Sequence, residues 1–454
     1  MLCGEQGEEG RLRKYFSHFF TLLSPSLVCQ LTLSRGRVSR GDTQGRHCGV
    51  RSVVRDTGEK RGGKKKNTRV KAVKKSSLPM RSVTGPSARP SLNLSPRRRC
   101  RPITGRPMAL PTTSPLVSPA WLAEELKEKG QAGLILIDAS WFMPNSGRSG
   151  AAEFAAGPRI PGSRFFDIDA IADASSGLPH MLPTAHAFAA AVAALGIQNP
   201  KSPVLLYDRA GMFSAPRAWY TFLALGHDAG AVGVLDGGLP AYTAVGGPLE
   251  TGPADAAALA APGEAAQAAA AAAGDGAPPP STYKAAVRPH MVRDFDAMLG
   301  AVRAPGSLPL ALVDARPAGR FDGSAPEPRK GLRSGHIPGA ASLPFGELLE
   351  GGRYKSPAAL RAAFRDRAGL EGPQPGGGGG AGGGAPPGAL CETCPRPLVF
   401  TCGTGVTACI LALGAVVAGL ADSGAFSVYD GSWTEWAGRE EAPKEPPGGG
   451  VLAE

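Results

Sequence analysis

The sequence predicts an α/β protein of two tandem units, each a parallel sheet flanked by helices, and three observations carry that reading. The chain repeats itself: Leu134-Ile135-Leu136-Ile137-Asp138-Ala139 recurs as Leu310-Ala311-Leu312-Val313-Asp314-Ala315, and Pro203 to Asp208 recurs as Pro397 to Cys402. Short apolar runs alternate with helical stretches, the order that builds parallel strands joined by crossover helices. At 454 residues the chain is long enough for two or three domains.

Residues 1–115 read as a basic leader, a transit peptide without a fold of its own. From Lys60 to Ala123 there are 16 Lys and Arg and no Asp or Glu, and the stretch from Met80 to Leu110 is rich in Ser, Arg and Pro. Of the 50 basic residues 25 precede position 124, with only 6 of the 38 acidic ones, so the net charge of +12 hides a remainder that carries −7. The runs Lys64 to Lys66 and Arg97 to Arg99 would suit phosphates, yet no aromatic residue is interleaved, and no nucleic-acid partner is expected. The expected destination is the mitochondrion, with the chloroplast as the alternative. No later segment reaches the roughly 18 to 20 apolar residues of a membrane span, so no membrane partner is expected either.

The first unit spans 116–250, with helices predicted over Pro119 to Lys129, Ala185 to Leu195 and Pro216 to Leu225. An Ala, Gly and Pro linker follows at 251–281. The second unit spans 282–440, with helices over Pro357 to Ala368 and Ala408 to Leu420. Arg159-Ile160-Pro161-Gly162-Ser163 matches His336-Ile337-Pro338-Gly339-Ala340 at a spacing of 177, whereas Leu235 to Leu239 matches Tyr429 to Trp433 at 194. The difference is a Gly-rich insertion near 373–390, and 441–454 reads as a disordered tail. Of eight cysteines, Cys391, Cys394, Cys402 and Cys409 cluster late in the chain. That is no disulfide framework. Cys391 and Cys394 have the spacing of a redox pair without a second pair to complete a zinc site, and no metal is expected.

Chemistry concentrates at Leu398 to Cys409: an apolar strand, Cys402, a loop containing Gly403 and Gly405, then a helix. The carboxyl end of a strand is where open parallel sheets carry their ligands. The two glycines let successive N–H groups converge, and the helix N-terminus adds partial positive charge, so a thiolate is stabilised there as a nucleophile. A bland alternative is a buried small residue ahead of a core helix; the glycine placement favours the nucleophile.

The string Cys402-Gly403-Thr404-Gly405-Val406-Thr407-Ala408-Cys409 resembles the active-site loop of the 3-mercaptopyruvate sulfurtransferases in their plant and algal form, a branch of the rhodanese superfamily. The resemblance covers about residues 116–440 and implies two tandem rhodanese-like domains. It implies a Cys402 persulfide that takes sulfur from 3-mercaptopyruvate, releases pyruvate and passes the sulfur to cyanide or to an acceptor thiol such as thioredoxin or glutathione, with no cofactor. It places Arg320 and Arg329 on the carboxylate and keto oxygens of this small-molecule donor, beside the loop residues Gly403, Gly405, Val406 and Thr407. It also implies a relay of His180, Asp169 and Thr404, brought in by a first-unit segment. An arginine fork does suit a carboxylate, although the residues alone equally allow surface arginines partnered by Glu327. Arg316 is expected to be a structural ion-pair partner of Asp314. Arg159 departs from the family's histidine, which its counterpart His336 retains. In the first unit Asp208 replaces the cysteine, and Arg209 to Ser214 lacks the glycine cradle, so that unit is expected to be catalytically silent.

Three alternatives remain. Thiosulfate as donor calls for basic residues inside the loop, where Gly403 and Thr404 are uncharged. A cysteine phosphatase needs an arginine six positions after the cysteine, where Ala408 stands. A non-enzymatic rhodanese-fold binding module is disfavoured by the intact loop.

Overall fold

The computed structural model describes residues 109–111, 114–131, 133–255, 258–259, 282–371, 396–446, 450 and 452. Strands β1 (Leu116–Val117), β2 (Ile135–Asp138), β3 (Arg164–Phe165), β4 (Val204–Tyr207) and β5 (Val232–Leu235) form a sheet in the order β1-β5-β4-β2-β3, parallel throughout. A second sheet repeats it with β6 (Val292–Arg293), β7 (Ala311–Asp314), β8 (Ala341–Ser342), β11 (Leu398–Thr401) and β12 (Ser427–Tyr429) in the order β6-β12-β11-β7-β8. Between β8 and β11 lies a small hairpin, β9 (Leu349–Glu350) with β10 (Arg353–Tyr354), which has no counterpart among the described residues of the first unit. The register agrees too: Asp138 lies opposite Tyr207, and its counterpart Asp314 lies opposite Thr401.

Central strands β4 and β11 are buried at all four positions. Strands covered on both faces read as continuous apolar runs, which is why these two were visible in the sequence. Two of the predicted helices start at side-chain caps: Thr184 accepts from the N–H of Ala187 at 3.2 Å, and Ser356 accepts from that of Ala359 at 3.3 Å with Pro357 at the first helical position.

The helix after β11, Ala408–Val417, buries eight of its ten residues. It packs across the two units on the corresponding helix after β4, Ala215–Ala224. It stops before the predicted Leu420 because Gly419, at φ +71°, closes the end while Leu420 N–H reaches back to Ala415 O at 2.9 Å. The apolar core is continuous through both units, with Trp219 of the first stacked on Phe426 of the second at 5.8 Å.

Two polar ties cross the same seam. Asp236, just after β5, accepts from Arg353 Nε at 2.8 Å and from Tyr354 N–H at 3.1 Å. Its counterpart Asp430, just after β12, accepts from Arg217 Nη1 at 2.7 Å and from Leu182 N–H at 2.7 Å. Each unit therefore offers the carboxylate that follows its last strand in the chain to an arginine and a backbone N–H of the other.

The segment expected as a disordered tail behaves differently over its described part. Glu445 pairs with His336 in both directions, at 2.7 and 3.0 Å, and Ala442 is buried. The first unit ends in the same way, with Glu250 paired to Arg159. Arg159, buried, also donates to the carbonyl of Gly252 at 2.9 Å and forms an ion pair with Glu250, so arginine at the family's histidine position is fully partnered. Most of the leader, most of the linker, the Gly-rich insertion and Cys391 with Cys394 lie outside the described residues, but the end of the segment read as leader belongs to the first unit: Leu110 is buried in its core and Pro115 O accepts from Val234 N–H at 2.7 Å.

Candidate active site

Cys402 sits at the end of β11 and is 2% exposed. Its N–H donates to Ser432 Oγ at 3.3 Å, and its carbonyl accepts from Trp433 N–H at 3.0 Å, so the residue is fixed on both sides. Gly405 adopts φ +78°, and a Cβ there would lie 2.9 Å from Arg217 Nη1 and 3.0 Å from Asp430 O, so only glycine passes. The carbonyl of Gly403 is taken by Thr434 N–H and Oγ1, at 2.9 and 2.7 Å. The carbonyls of Val406 and Thr407 accept from Cys409 and Ile410 N–H, both at 3.1 Å. The loop's carbonyls are thus turned into the body of the protein. The N–H groups of Gly403 through Thr407 donate to no acceptor among the described residues.

The first unit shows what this loop does with an anion. Asp208, counterpart of Cys402, takes the N–H groups of Phe213, Ser214 and Ala215 on Oδ2 at 2.8 to 2.9 Å and that of Ala210 on Oδ1 at 2.9 Å. The expectation that Arg209 to Ser214 lacks a cradle is therefore corrected. Gly211, at φ +77°, is the counterpart of Gly405, and one such glycine suffices to fold the loop around a negative group. The difference between the units lies in what occupies the centre: a carboxylate that uses up its own donors, or a thiol.

Arg320 reaches the loop. A Cβ on Gly403 would be 3.1 Å from Arg320 Nη2. Glu327 grips Arg320 through Nε at 3.1 Å and through Nη2, while its other oxygen takes Arg316 Nη1 at 2.8 Å. Arg316 is bound in turn to Asp314, at 2.6 Å, and lies 4.5 Å over the ring of Trp433. Arg316 is thus the structural partner foreseen, and Glu327 orients Arg320 instead of merely neutralising it. Arg329, half-buried, donates no hydrogen bond among the described residues. Burial and the neighbouring Arg320 charge lower its pKa, against the opposing pull of Cys402, Glu327 and Asp169.

His180 and Asp169 come from the first unit. His180 is buried, stands at φ +64°, and holds Nδ1 2.6 Å from Asp169 Oδ1. Trp141 donates to the other Asp169 oxygen at 2.8 Å and meets the His180 ring edge-on at 4.6 Å. Burial works to raise the Asp169 pKa, but the contacts with His180 and Trp141 and the charge of Arg329 lower it overall. Thr404 is buried, and its hydroxyl has no hydrogen-bond partner among the described residues; neither has His180 Nε2. The structure joins the first two members of the expected relay and leaves Thr404 unbonded to them.

Three site residues were missed by sequence reasoning. Ser432 lies at φ +52° where the repeat has Gly238 at φ +56°; a serine kept in a glycine conformation signals use of its hydroxyl, here on Cys402 N–H. Arg217 and Asp430 pair beneath the loop. The mismatch of Ser432 with Gly238 was readable in the repeat, but the Arg217 contact joins positions 213 residues apart and left no local signal.

Residues 118–245 match the family described as Rhodanese-like domain. The chain is 39% identical over 334 residues to "Thiosulfate/3-mercaptopyruvate sulfurtransferase 1, mitochondrial" of Arabidopsis thaliana, covering 74% of this chain and 79% of the relative. It is 36% identical to the 3-mercaptopyruvate sulfurtransferase of Homo sapiens, over 71% of this chain and 91% of that protein. Among solved structures it resembles the Tum1 protein from Saccharomyces cerevisiae, with a TM-score of 0.56, 29% identity, and coverage of 74% of this chain and 99% of the other. Two sheets of one topology, a cysteine on the glycine-bearing loop of the second, and identity sustained across both units converge: this chain is a sulfurtransferase and belongs to the 3-mercaptopyruvate sulfurtransferase branch of the rhodanese superfamily.

Proposed function

We propose that the chain moves sulfane sulfur from 3-mercaptopyruvate through Cys402 to a thiol, and that only the second unit turns over. The observation that carries this reading is the contrast between the two loops: Asp208 holds four N–H groups of its own loop, those of Ala210, Phe213, Ser214 and Ala215, while the N–H groups from Gly403 to Thr407 have no acceptor among the described residues. The Cys402 thiolate attacks the donor's sulfur, an S–S bond forms, the C–S bond breaks, and its electron pair leaves on carbon as the enolate of pyruvate, which takes up a proton. The persulfide anion rests on the loop N–H groups until an acceptor thiolate attacks the outer sulfur and returns Cys402. Arg329, with its free fork, and Arg320, aimed by Glu327, hold the donor's carboxylate and keto oxygens. His180, oriented by Asp169, faces the same donor. Support for 3-mercaptopyruvate over thiosulfate comes from the uncharged loop, with its cations at the rim.

Reduced thioredoxin or glutathione is the proposed acceptor, and the mitochondrion the proposed compartment, in keeping with the name of the Arabidopsis relative. Pyruvate release from 3-mercaptopyruvate, compared with thiocyanate formation from thiosulfate and cyanide, tests the donor. Faster turnover of thiosulfate would reverse the assignment.

A further inference from the structure

Arg217 is 1% exposed, belongs to the first unit, and touches nothing that reacts. Its guanidinium nevertheless binds the two halves of the site at once: Nη1 donates to Asp430 Oδ1 at 2.7 Å and to the loop carbonyl of Gly405 at 3.3 Å, and Nη2 donates to the backbone carbonyl of His180. The other Asp430 oxygen holds Leu182 N–H, two residues beyond His180, at 2.7 Å. Cys409 Sγ–H shares the Gly405 carbonyl at 3.2 Å. One buried ion pair thus clamps the His180 segment and the Cys402 loop to a common point.

We propose that Arg217 and Asp430 form a positioning pair that sets the His180 side chain against the Cys402 loop. Two features separate this role from ordinary cohesion between the units. His180 is a non-glycine residue in a left-handed conformation, which persists only where its surroundings hold it, and the carbonyl so held belongs to that residue. The repeat also supplies a control: Asp236 with Arg353 makes the matching tie across the same seam, but beside the Asp208 loop and away from His180.

This inference rests on the reading of His180 and Cys402 as catalytic, and a double-mutant cycle separates the two. Arg217→Lys, His180→Ala, the double variant and Arg353→Ala are compared in the full chain by thermal unfolding and by kcat and KM for 3-mercaptopyruvate. Arg217→Lys is expected to lower kcat roughly ten- to a hundredfold with little change in KM. Once His180 is gone, it should cost almost nothing more. Arg353→Ala is expected to leave kcat within about twofold, with no coupling to His180.

A full additional loss from Arg217→Lys in the His180→Ala background, or the same coupling from Arg353→Ala, overturns the proposal while leaving His180 in its role. An unchanged kcat in His180→Ala alone overturns both. Should Arg217→Lys fail to fold, Asp430→Asn, which keeps the shape and removes the charge, carries the same comparison.

Discussion

Ser432 holds a conformation that costs a serine about 1 kcal/mol or more, and in return its hydroxyl accepts from Cys402 N–H and donates to Tyr429 O at 2.7 Å. Relief of strain and loss of hydrogen bonds oppose each other at similar magnitude, so Ser432→Gly is expected to leave the melting temperature within a few degrees while kcat falls. An unchanged kcat would show that the hydroxyl only fills space. Arg329→Ala removes a charge-assisted contact worth about 1.5–3 kcal/mol, so kcat/KM for 3-mercaptopyruvate should drop roughly ten- to a hundredfold. Thiosulfate, which has no carboxylate, should suffer less; equal losses on both donors would mean that Arg329 attracts anions without selecting them. Asp169 carries a pH signature. Its folded pKa lies below that of an unfolded aspartate, near 3.9, so the stabilisation from its contacts with His180 and Arg329 is complete above that pH and drains away as pH falls through the lower folded value. Carboxyl NMR should show Asp169 titrating below 3.9 and moving upward in His180→Ala.

At the scale of elements, the strand that delivers Cys402 is also the centre of its sheet. Phe400, fully buried and edge-on to Phe364 and Phe426, should cost about 3–5 kcal/mol when cut to alanine, read from denaturant midpoints. Legibility followed the same physics. β4, β11 and the helices behind them were readable because they are buried on all sides and write continuous apolar runs. The two-residue edge strands β1, β3, β6 and β8 were not, being too short to show a period. Nor was the β9–β10 hairpin, whose Arg353 and Tyr354 are also tied to Asp236 of the other unit, a contact no local pattern records. In the site, Cys402 and its glycines were plain from local spacing. Arg320, Arg329, Asp169 and His180 were named through family resemblance, and their meeting depends on a seam between units that no local pattern records. The Asp208 loop was misjudged because counting glycines is a poor measure of how many N–H groups a turn can aim.

For the whole molecule, a chain trimmed to begin near Pro111 should keep its turnover, since every residue placed at the site lies beyond that point. Loss of activity in the soluble remainder would assign the leader a part in catalysis. The first unit, in contrast, should not tolerate trimming, because the proposed site draws His180, Asp169 and Arg217 from it. Its lack of a cysteine is therefore compatible with strong dependence of the reaction on its presence.

The Asp208 cradle carries one more consequence. A ring of amides wrapped around a built-in carboxylate is a receptor already occupied by its own ligand. Asp208→Gly would release that ligand from its tether, leaving amides that free acetate or formate could refill. Melting temperature should then rise with added acetate in the variant and stay flat in the parent chain, an instance of chemical rescue in the half of the molecule that carries a carboxylate in place of the cysteine.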